Sequence, residues 1–466
     1  MTATDLFIGG VWGPAASGRR FDVVNPSTGR TIASVADGDV QDALAAVDAA
    51  AAAAPGWAAT GPRERAEILR RAFELMIARS DALSELISRE NGRALPDARG
   101  EIGYAAEFFR WHAGEAVRIG GSVSTAPSGA NRILVTYQPV GVSVLVTPWN
   151  FPVAMATRKI APALAAGCTM ILKPASDTPL TALALAELLT EAGVPAGVVN
   201  VVASRSSGRT VAAMLHDPRV RKLSFTGSTE VGRRLLKESA DQVINTSMEL
   251  GGDAPFVVFA DADLEAAVDG AMIAKMRNAG EACTAANRFC VEEPVAAEFG
   301  RRLAERMAAM VVGPATDPAT SVGPPVNQSV VDKVDELVRD AVRRGATALT
   351  GAGRLDRDGY FHAPTVLNEE IFGPVAPIMT FAGEDEAVLL ANRTEYSLVA
   401  YVYTRDLARG LRVGERIEAG MIGLNRGLVS HPAAPFGGVK HRGIGRGGGH
   451  EGVLDYLEST YIATTW

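Results

Sequence analysis

The chain has 466 residues, too many for one hydrophobic core, so two or three domains are expected. Apolar residues make up 47% and charged residues 21%, and the formal charge of −7 with no dominant basic patch argues against a nucleic-acid partner. No apolar run is long enough to span a bilayer, no secretory signal is read, and Cys168, Cys283 and Cys290 form neither a disulfide framework nor a zinc pair, so a cytoplasmic protein without membrane or metal is expected.

The Ala-rich run 43–54 predicts a helix that stops at Pro55-Gly56. Residues 69–91 predict one amphipathic helix, stopped by Gly92. Residues 142–147 are mostly apolar and β-branched, as in a buried parallel strand, and 169–173 predict a second strand. Thr178 then caps a helix with Pro179 at its first position; Leu185, Leu188 and Leu189 share one face, and the helix ends at Gly193. Strands follow at 198–202 and 222–226, the latter leading through Gly227-Ser228 into a helix with Val231, Leu235 and Leu236. Strands alternating with helices predict a parallel sheet covered on both faces, with ligands at the carboxyl ends of the strands. From about 252 the pattern restarts, with a strand at 255–259 and a helix at 264–279, and alternates to about 440, giving a second α/β domain. The tail 460–465 predicts a lone strand that must pair with something, such as a neighbouring subunit.

The chemistry lies in several short stretches. Gly443-Ile-Gly445-Arg-Gly-Gly448 fits G-x-G-x-x-G, but it neither follows a strand nor opens a helix in a βαβ unit, so it reads as a flexible turn. Phe225-Thr-Gly-Ser-Thr229 joins a strand to a helix N-terminus, where exposed N–H groups suit a phosphate; by itself it reads first as a helix cap. Cys168 and Cys290 sit in apolar contexts and read as core residues. Cys283 stands among small and polar residues, the context of an accessible thiol; a free thiol, with a pKa of about 8.5, needs a base, a helix N-terminus or a cation to act as a nucleophile at neutral pH. Glu249, at a strand end before Leu-Gly-Gly, is either a satisfied carboxylate or a partly desolvated general base with a raised pKa. Asn150, after the first parallel strand, either caps the turn or offers its amide to an oxyanion.

Together these stretches form a pattern. The chain resembles the aldehyde dehydrogenase superfamily over nearly its whole length, through Pro-Trp-Asn-Phe-Pro at 148–152, Leu-Lys-Pro-Ala-Ser at 172–176, Phe-Thr-Gly-Ser at 225–228, Glu-Leu-Gly-Gly at 249–252, the Cys283 loop, Glu-Glu-Ile-Phe-Gly-Pro at 369–374 and Pro-Phe-Gly-Gly-Val-Lys at 435–440. The resemblance implies an α/β fold with a Rossmann-like cofactor domain (1–120 and 140–251), an α/β catalytic domain (252–446) and a small β oligomerisation element (121–139 and 447–466), assembled as a homodimer or homotetramer. It implies that Cys283 attacks the aldehyde, that Asn150 and the cysteine N–H hold the oxyanion, and that Glu249 activates the water that cleaves the thioester. Trp149, Lys173, Ser176, Gly227, Ser228, Leu250, Glu370 and Phe372 are implied to line the cofactor. A serine at 176, where a carboxylate would repel a 2′-phosphate, together with Lys173 points to NADP over NAD.

The stretches 149–159, 277–280 and 427–430 are similar to succinate-semialdehyde dehydrogenases. That resemblance implies that Arg158, Arg277 and Ser430 bind the distal carboxylate of the small aldehyde substrate, a task for which guanidinium groups suit. Glutarate semialdehyde or another semialdehyde acid would use the same anchor. A CoA-acylating enzyme and a non-catalytic protein of this fold are the alternatives; the presence of Glu249 speaks against the first, and Cys283, Glu249 and Asn150 together speak against the second. The chain departs from the family in five places. Glu281 brings a negative charge near the thiolate, Ala285 replaces the second cysteine of a redox switch, the segment before Glu370 is short, and Arg442 and Gly447 stand where serine and glutamate are usual.

Overall fold

The computed structural model describes residues 3–465 apart from 344, 346, 352 and 368–374. The expected strands form as Val142–Val146, Met170–Lys173, Val199–Val201 and Val220–Thr226, and with Asn245–Glu249 they make a parallel block. In the sheet they lie in the order Val199–Val201, Met170–Lys173, Val142–Val146, Val220–Thr226, Asn245–Glu249. The chain therefore reverses its direction of growth between Val142–Val146 and Val220–Thr226, the switch point at which such sheets bind ligands. Side chains alternate across the strand Val142–Val146. Val142, Val144 and Val146 share a core with Ala43, Val47, Val211 and Met214, while Leu145 joins the core of Ile160 and Leu164. Helices on both faces explain why these strands read as unbroken apolar runs.

Antiparallel strands close the edges: Leu6–Ile8 and Val11–Gly13 on one side, Gly443–Ile444 beside Asn245–Glu249 on the other. The last pairing gives the glycine-rich stretch a different role from the flexible turn expected. Gly443 sits opposite Glu249 with φ +144, and a Cβ there would lie 1.7 Å from the Met248 carbonyl oxygen, so only glycine allows this approach. A second, wholly parallel sheet runs Thr365–Leu367, Val375–Phe381, Ala286–Glu292, Ala254–Val258, Val399–Tyr403, Met421–Leu424. The terminal strand Leu457–Thr464 pairs with Arg132–Pro139 of its own chain, and Ser122–Thr125 completes a three-stranded flap. A partner from another subunit is thus not needed to satisfy that strand.

Several helix ends differ from expectation, among them the helix expected over 264–279, which ends at Met276. The first helix runs Val40–Ala59 through Pro55, because its last turn buries Trp57 to 2% exposure and packing outweighs the lost hydrogen bond. The single helix expected over 69–91 is two, Pro62–Ala78 and Ser80–Asn91, broken at Arg79 and stopped at Gly92 as expected. Thr178 precedes the helix Pro179–Ala192 but its side chain does not cap it. The buried Glu90 carboxylate does so instead, accepting the Leu180 and Thr181 N–H groups at 2.8 and 2.9 Å.

Candidate active site

Asn150 lies in the turn between strand Val142–Val146 and helix Pro152–Ala166, whose residues are all buried. Phe151 offers that helix no side-chain cap. Glu101, from helix Leu95–Ala116, accepts the Val153 and Ala154 N–H groups at 2.9 Å each and forms a fully buried ion pair with Arg93. Arg93 in turn donates to Asn278 Oδ1 at 2.9 Å and to the Asn150 carbonyl. Asn278 Nδ2 donates to the Asn150 carbonyl at 2.8 Å and to the Glu281 carbonyl at 3.2 Å. Asn150 Nδ2 donates to the same Glu281 carbonyl at 3.1 Å, and its second N–H has no acceptor among the described residues. Asn278 and Ala279 hold left-handed backbone angles, φ 52 and 51, a strained shape these bonds maintain. The network fixes Asn150 against the loop that carries Cys283, two residues beyond Glu281.

Cys283 sits between the turn Arg277–Gly280 and strand Ala286–Glu292, half-buried, whereas Cys168 and Cys290 are buried. Burial pushes the Cys168 thiol up to about 11, consistent with a core residue. Glu249 ends strand Asn245–Glu249 at 8% exposure. Its Oε2 accepts from Arg158 and from Thr226 Oγ1, both at 3.3 Å. Burial would raise its pKa, as the sequence suggests, but Arg158, Lys159 and Arg442 outweigh burial and hold the carboxyl below its usual range. Glu249 is thus a carboxylate matched to cations that come from two other elements.

Glu281, expected to add charge near the thiolate, is 2% exposed and directed to the Val326 N–H at 3.4 Å. Burial pushes it up to about 8, so the group is largely an uncharged acid at neutral pH and brings little charge to the thiol. A raised folded-state pKa means that this acid's contribution to stability is complete below its unfolded value and is lost as pH rises through about 8. Glu281→Gln should therefore gain stability relative to the parent between pH 5 and 9, by at most about 1.4 kcal/mol per pH unit. Thermal scans of both proteins across that range check this, and parallel curves would contradict it.

The expected substrate residues behave differently from one another. Arg158 is 3% exposed, donates to Glu249 and Tyr104, and lies 3.7 Å over the Phe436 ring; its Nε has no partner among the described residues. Arg277 is half-buried at the end of helix Leu264–Met276, with its guanidinium 5.0 Å from the Phe151 ring centre. No ion pair or hydrogen bond to its guanidinium is found among the described residues. Ser430 is half-buried on the loop after Met421–Leu424.

The described residues expected to line a cofactor cluster at the carboxyl ends of the first sheet. Lys173 ends Met170–Lys173, with Ser176 half-buried just beyond, and its ammonium donates to Ser207 at the start of helix Ser207–Leu215. Burial pushes Lys173 down to about 8, leaving it mostly charged at neutral pH. Gly227 and Ser228 open helix Thr229–Ala240, where Ser228 does cap Val231 at 3.3 Å while its surface stays exposed. Trp149 is half-buried beside the switch point, and Leu250 is buried against Gly232. A cation, a helix N-terminus and a switch-point crevice on one sheet edge fit a dinucleotide with an added phosphate. Glu370 and Phe372 lie outside the described residues.

The aldehyde dehydrogenase family model matches residues 12–462. The chain belongs to the aldehyde dehydrogenase family. A succinate-semialdehyde dehydrogenase from Paenarthrobacter nicotinovorans is 55% identical to this family member over 92% of the chain and 98% of the relative. A glutarate-semialdehyde dehydrogenase from Pseudomonas putida is 46% identical over 98% and 96% of the two chains. The crystal structure of an E. coli NADP-dependent enzyme superposes with a TM-score of 0.98 at 45% identity, covering 100% of this chain and 98% of the other. The α/β fold implied by the resemblance is therefore the fold observed. Arg93, Glu101 and Tyr104, which help hold this dehydrogenase's site together, lie in no motif, and Asn278 lies in the stretch 277–280 without any local sign of its bonds to Arg93 and Asn150.

Proposed function

We propose that this enzyme oxidises succinate semialdehyde to succinate with NADP, through a thioester on Cys283. The observation that carries the substrate reading is the Arg277 guanidinium, half-buried near the Cys283 loop and without an acidic partner among the described residues. The Cys283 thiolate adds to the aldehyde carbon, and the free N–H of Asn150 with the Cys283 backbone N–H receives the oxyanion. The nicotinamide, when bound, accepts the hydride. Glu249 then takes a proton from water, the water oxygen bonds to the acyl carbon, the C–S bond breaks, and the acid leaves with the thiolate restored. Arg277, Ser430 and the unpartnered Nε of Arg158 hold the distal carboxylate. Lys173 and Ser176 hold the 2′-phosphate of NADP, and NAD is a weaker alternative. The Pseudomonas putida relative supports glutarate semialdehyde as the second substrate, one methylene longer on the same anchor.

Arg277→Ala tests the anchor. Losing one charge-assisted contact of about 1.5–3 kcal/mol should raise KM for succinate semialdehyde about 10- to 150-fold and leave butanal nearly unchanged. Equal effects on both aldehydes would remove the carboxylate pocket. The flap that exposes Val123 (68%), Tyr461 (57%) and Ile462 (46%) supports the 121–139 and 447–466 segments as the subunit contact of a cytoplasmic dimer or tetramer. The remaining chain divides into the cofactor and catalytic domains around its two sheets, and sedimentation as a monomer alone would contradict the assembly.

A further inference from the structure

One buried charge has no part in the steps above. The Arg442 side chain is 1% exposed, and its Nε, Nη1 and Nη2 have no hydrogen-bond partner among the described residues. A guanidinium carries five N–H donors, and burying it unpaired is costly, so the fold must offer it an anion. The surroundings are shaped to keep it there. A Cβ at Gly438 would lie 2.1 Å from Arg442 Cγ, so glycine makes the room. The Arg442 carbonyl accepts the Leu250 N–H at 2.7 Å, which places the residue beside Glu249. A Cβ at Gly252 would lie 2.5 Å from the Cys283 carbonyl oxygen and 3.9 Å from Arg442 Nε, so the guanidinium reaches the back of the cysteine loop.

The other charged and titratable groups around the thiol and base are already engaged, except Arg277. Glu249 and Arg158 pair with each other, and Lys159, beside Arg158 on the same helix, donates to Ser224 at 2.9 Å. Tyr401, on strand Val399–Tyr403, donates to the Thr284 carbonyl at 2.8 Å, and Glu281 faces the Val326 N–H. Arg277 lies over Phe151, 5.0 Å from its ring centre. Gly447 supplies no carboxylate, and even a Cβ there would lie 2.9 Å from Glu249 Oε1.

We propose that Arg442 is a positioning residue that supplies the counter-charge of ionised Cys283, the thiolate being the acceptor its buried N–H groups otherwise lack. Burial lowers the pKa of Arg442, and the charges of Cys283 and Glu249 oppose that, in keeping with this placement. The proposal rests on Cys283 being the nucleophile.

The test is the rate of iodoacetamide alkylation of the full-length enzyme from pH 6 to 10, mapped to Cys283, for the parent, Arg442→Lys, Arg442→Ser and Arg442→Met. The parent and the lysine variant should share one pH profile. The serine and methionine variants should move about one pH unit upward and react about tenfold more slowly at pH 7. Folded serine and methionine variants with the parent's profile would overturn the proposal. Complete alkylation that leaves dehydrogenase activity intact would instead overturn Cys283 as nucleophile. Should neither neutral variant fold, thermal scans of the parent against Cys283→Ser decide. The parent should gain on the serine variant as pH rises from 6 to 9, and parallel curves would overturn the pairing.

Discussion

Glu249→Gln is expected to turn steady turnover into a burst of one reduced cofactor per active site, followed by a rate about 10²- to 10⁴-fold slower than the parent's. The substitution keeps the size of the side chain and one acceptor oxygen for Arg158 and Thr226, which hold Glu249 at 3.3 Å each. It removes the charge that draws a proton from water, so thiol addition and hydride loss proceed while the thioester waits. Intact mass measured after the burst should show the acyl group on the protein, and peptide mapping should place it on Cys283. An absent burst, with hydride release slowed as much as turnover, would move Glu249 to the step before the thioester. Because surrounding cations hold the Glu249 carboxyl below its ordinary range, the parent's turnover should not fall through protonation of this base between pH 7 and 6. A base with a raised pKa would have lost activity across that interval.

Arg93→Ala should be the most damaging single change outside the reacting residues. Removing one member of a buried ion pair costs about 3–5 kcal/mol because it strands the other charge. Here the stranded group is Glu101, which still caps Val153 and Ala154. The same substitution cuts the bonds from Arg93 to Asn278 and to the Asn150 carbonyl. Turnover should therefore fall further than substrate affinity, by about 10²–10³ if the oxyanion donor is misplaced. Arg93→Ala/Glu101→Ala should recover part of the thermal stability but little of the turnover, since the stranded charge is gone while Asn150 stays loose. Thermal scans and steady-state kinetics of the three proteins separate these effects. A single variant that melts and turns over like the parent would show that the network is incidental.

The first sheet was legible because its strands are buried on both faces and so appear as short apolar runs, with Gly227 closing the last of them and Pro179 and Gly193 marking the ends of an intervening helix. Helix ends were less so. Pro55 is a local breaker, but Trp57 packs into the core and carries the helix past it, a tertiary effect without a local signal. At the site, motif identity singled out Cys283, Glu249 and Asn150, and the Asn150 amide does reach the cysteine loop. What fixes that meeting is Arg93, which bonds to a residue 185 positions away in the chain, and no spacing rule exposes such a pair. Of the two readings open for Glu249, the lowered pKa favours the satisfied carboxylate over the raised base, for a related reason. Its burial could be inferred from the flanking Leu-Gly-Gly, whereas the opposing cations come from helix Pro152–Ala166 and from Arg442 near the chain's end. Gly443 and Gly447 looked like loop punctuation because what requires them, close approach to Met248 and Glu249, depends on a strand nearly two hundred residues earlier.

The most direct test of the account is kcat/KM for succinate semialdehyde and for butanal, each with NADP and with NAD. The acid aldehyde with NADP should exceed butanal with NADP by at least about tenfold, the value of one guanidinium–carboxylate contact, and should exceed the acid aldehyde with NAD. Equal efficiency for the two aldehydes would contradict the carboxylate anchor, and NAD equal to or better than NADP would contradict the phosphate site at Lys173 and Ser176.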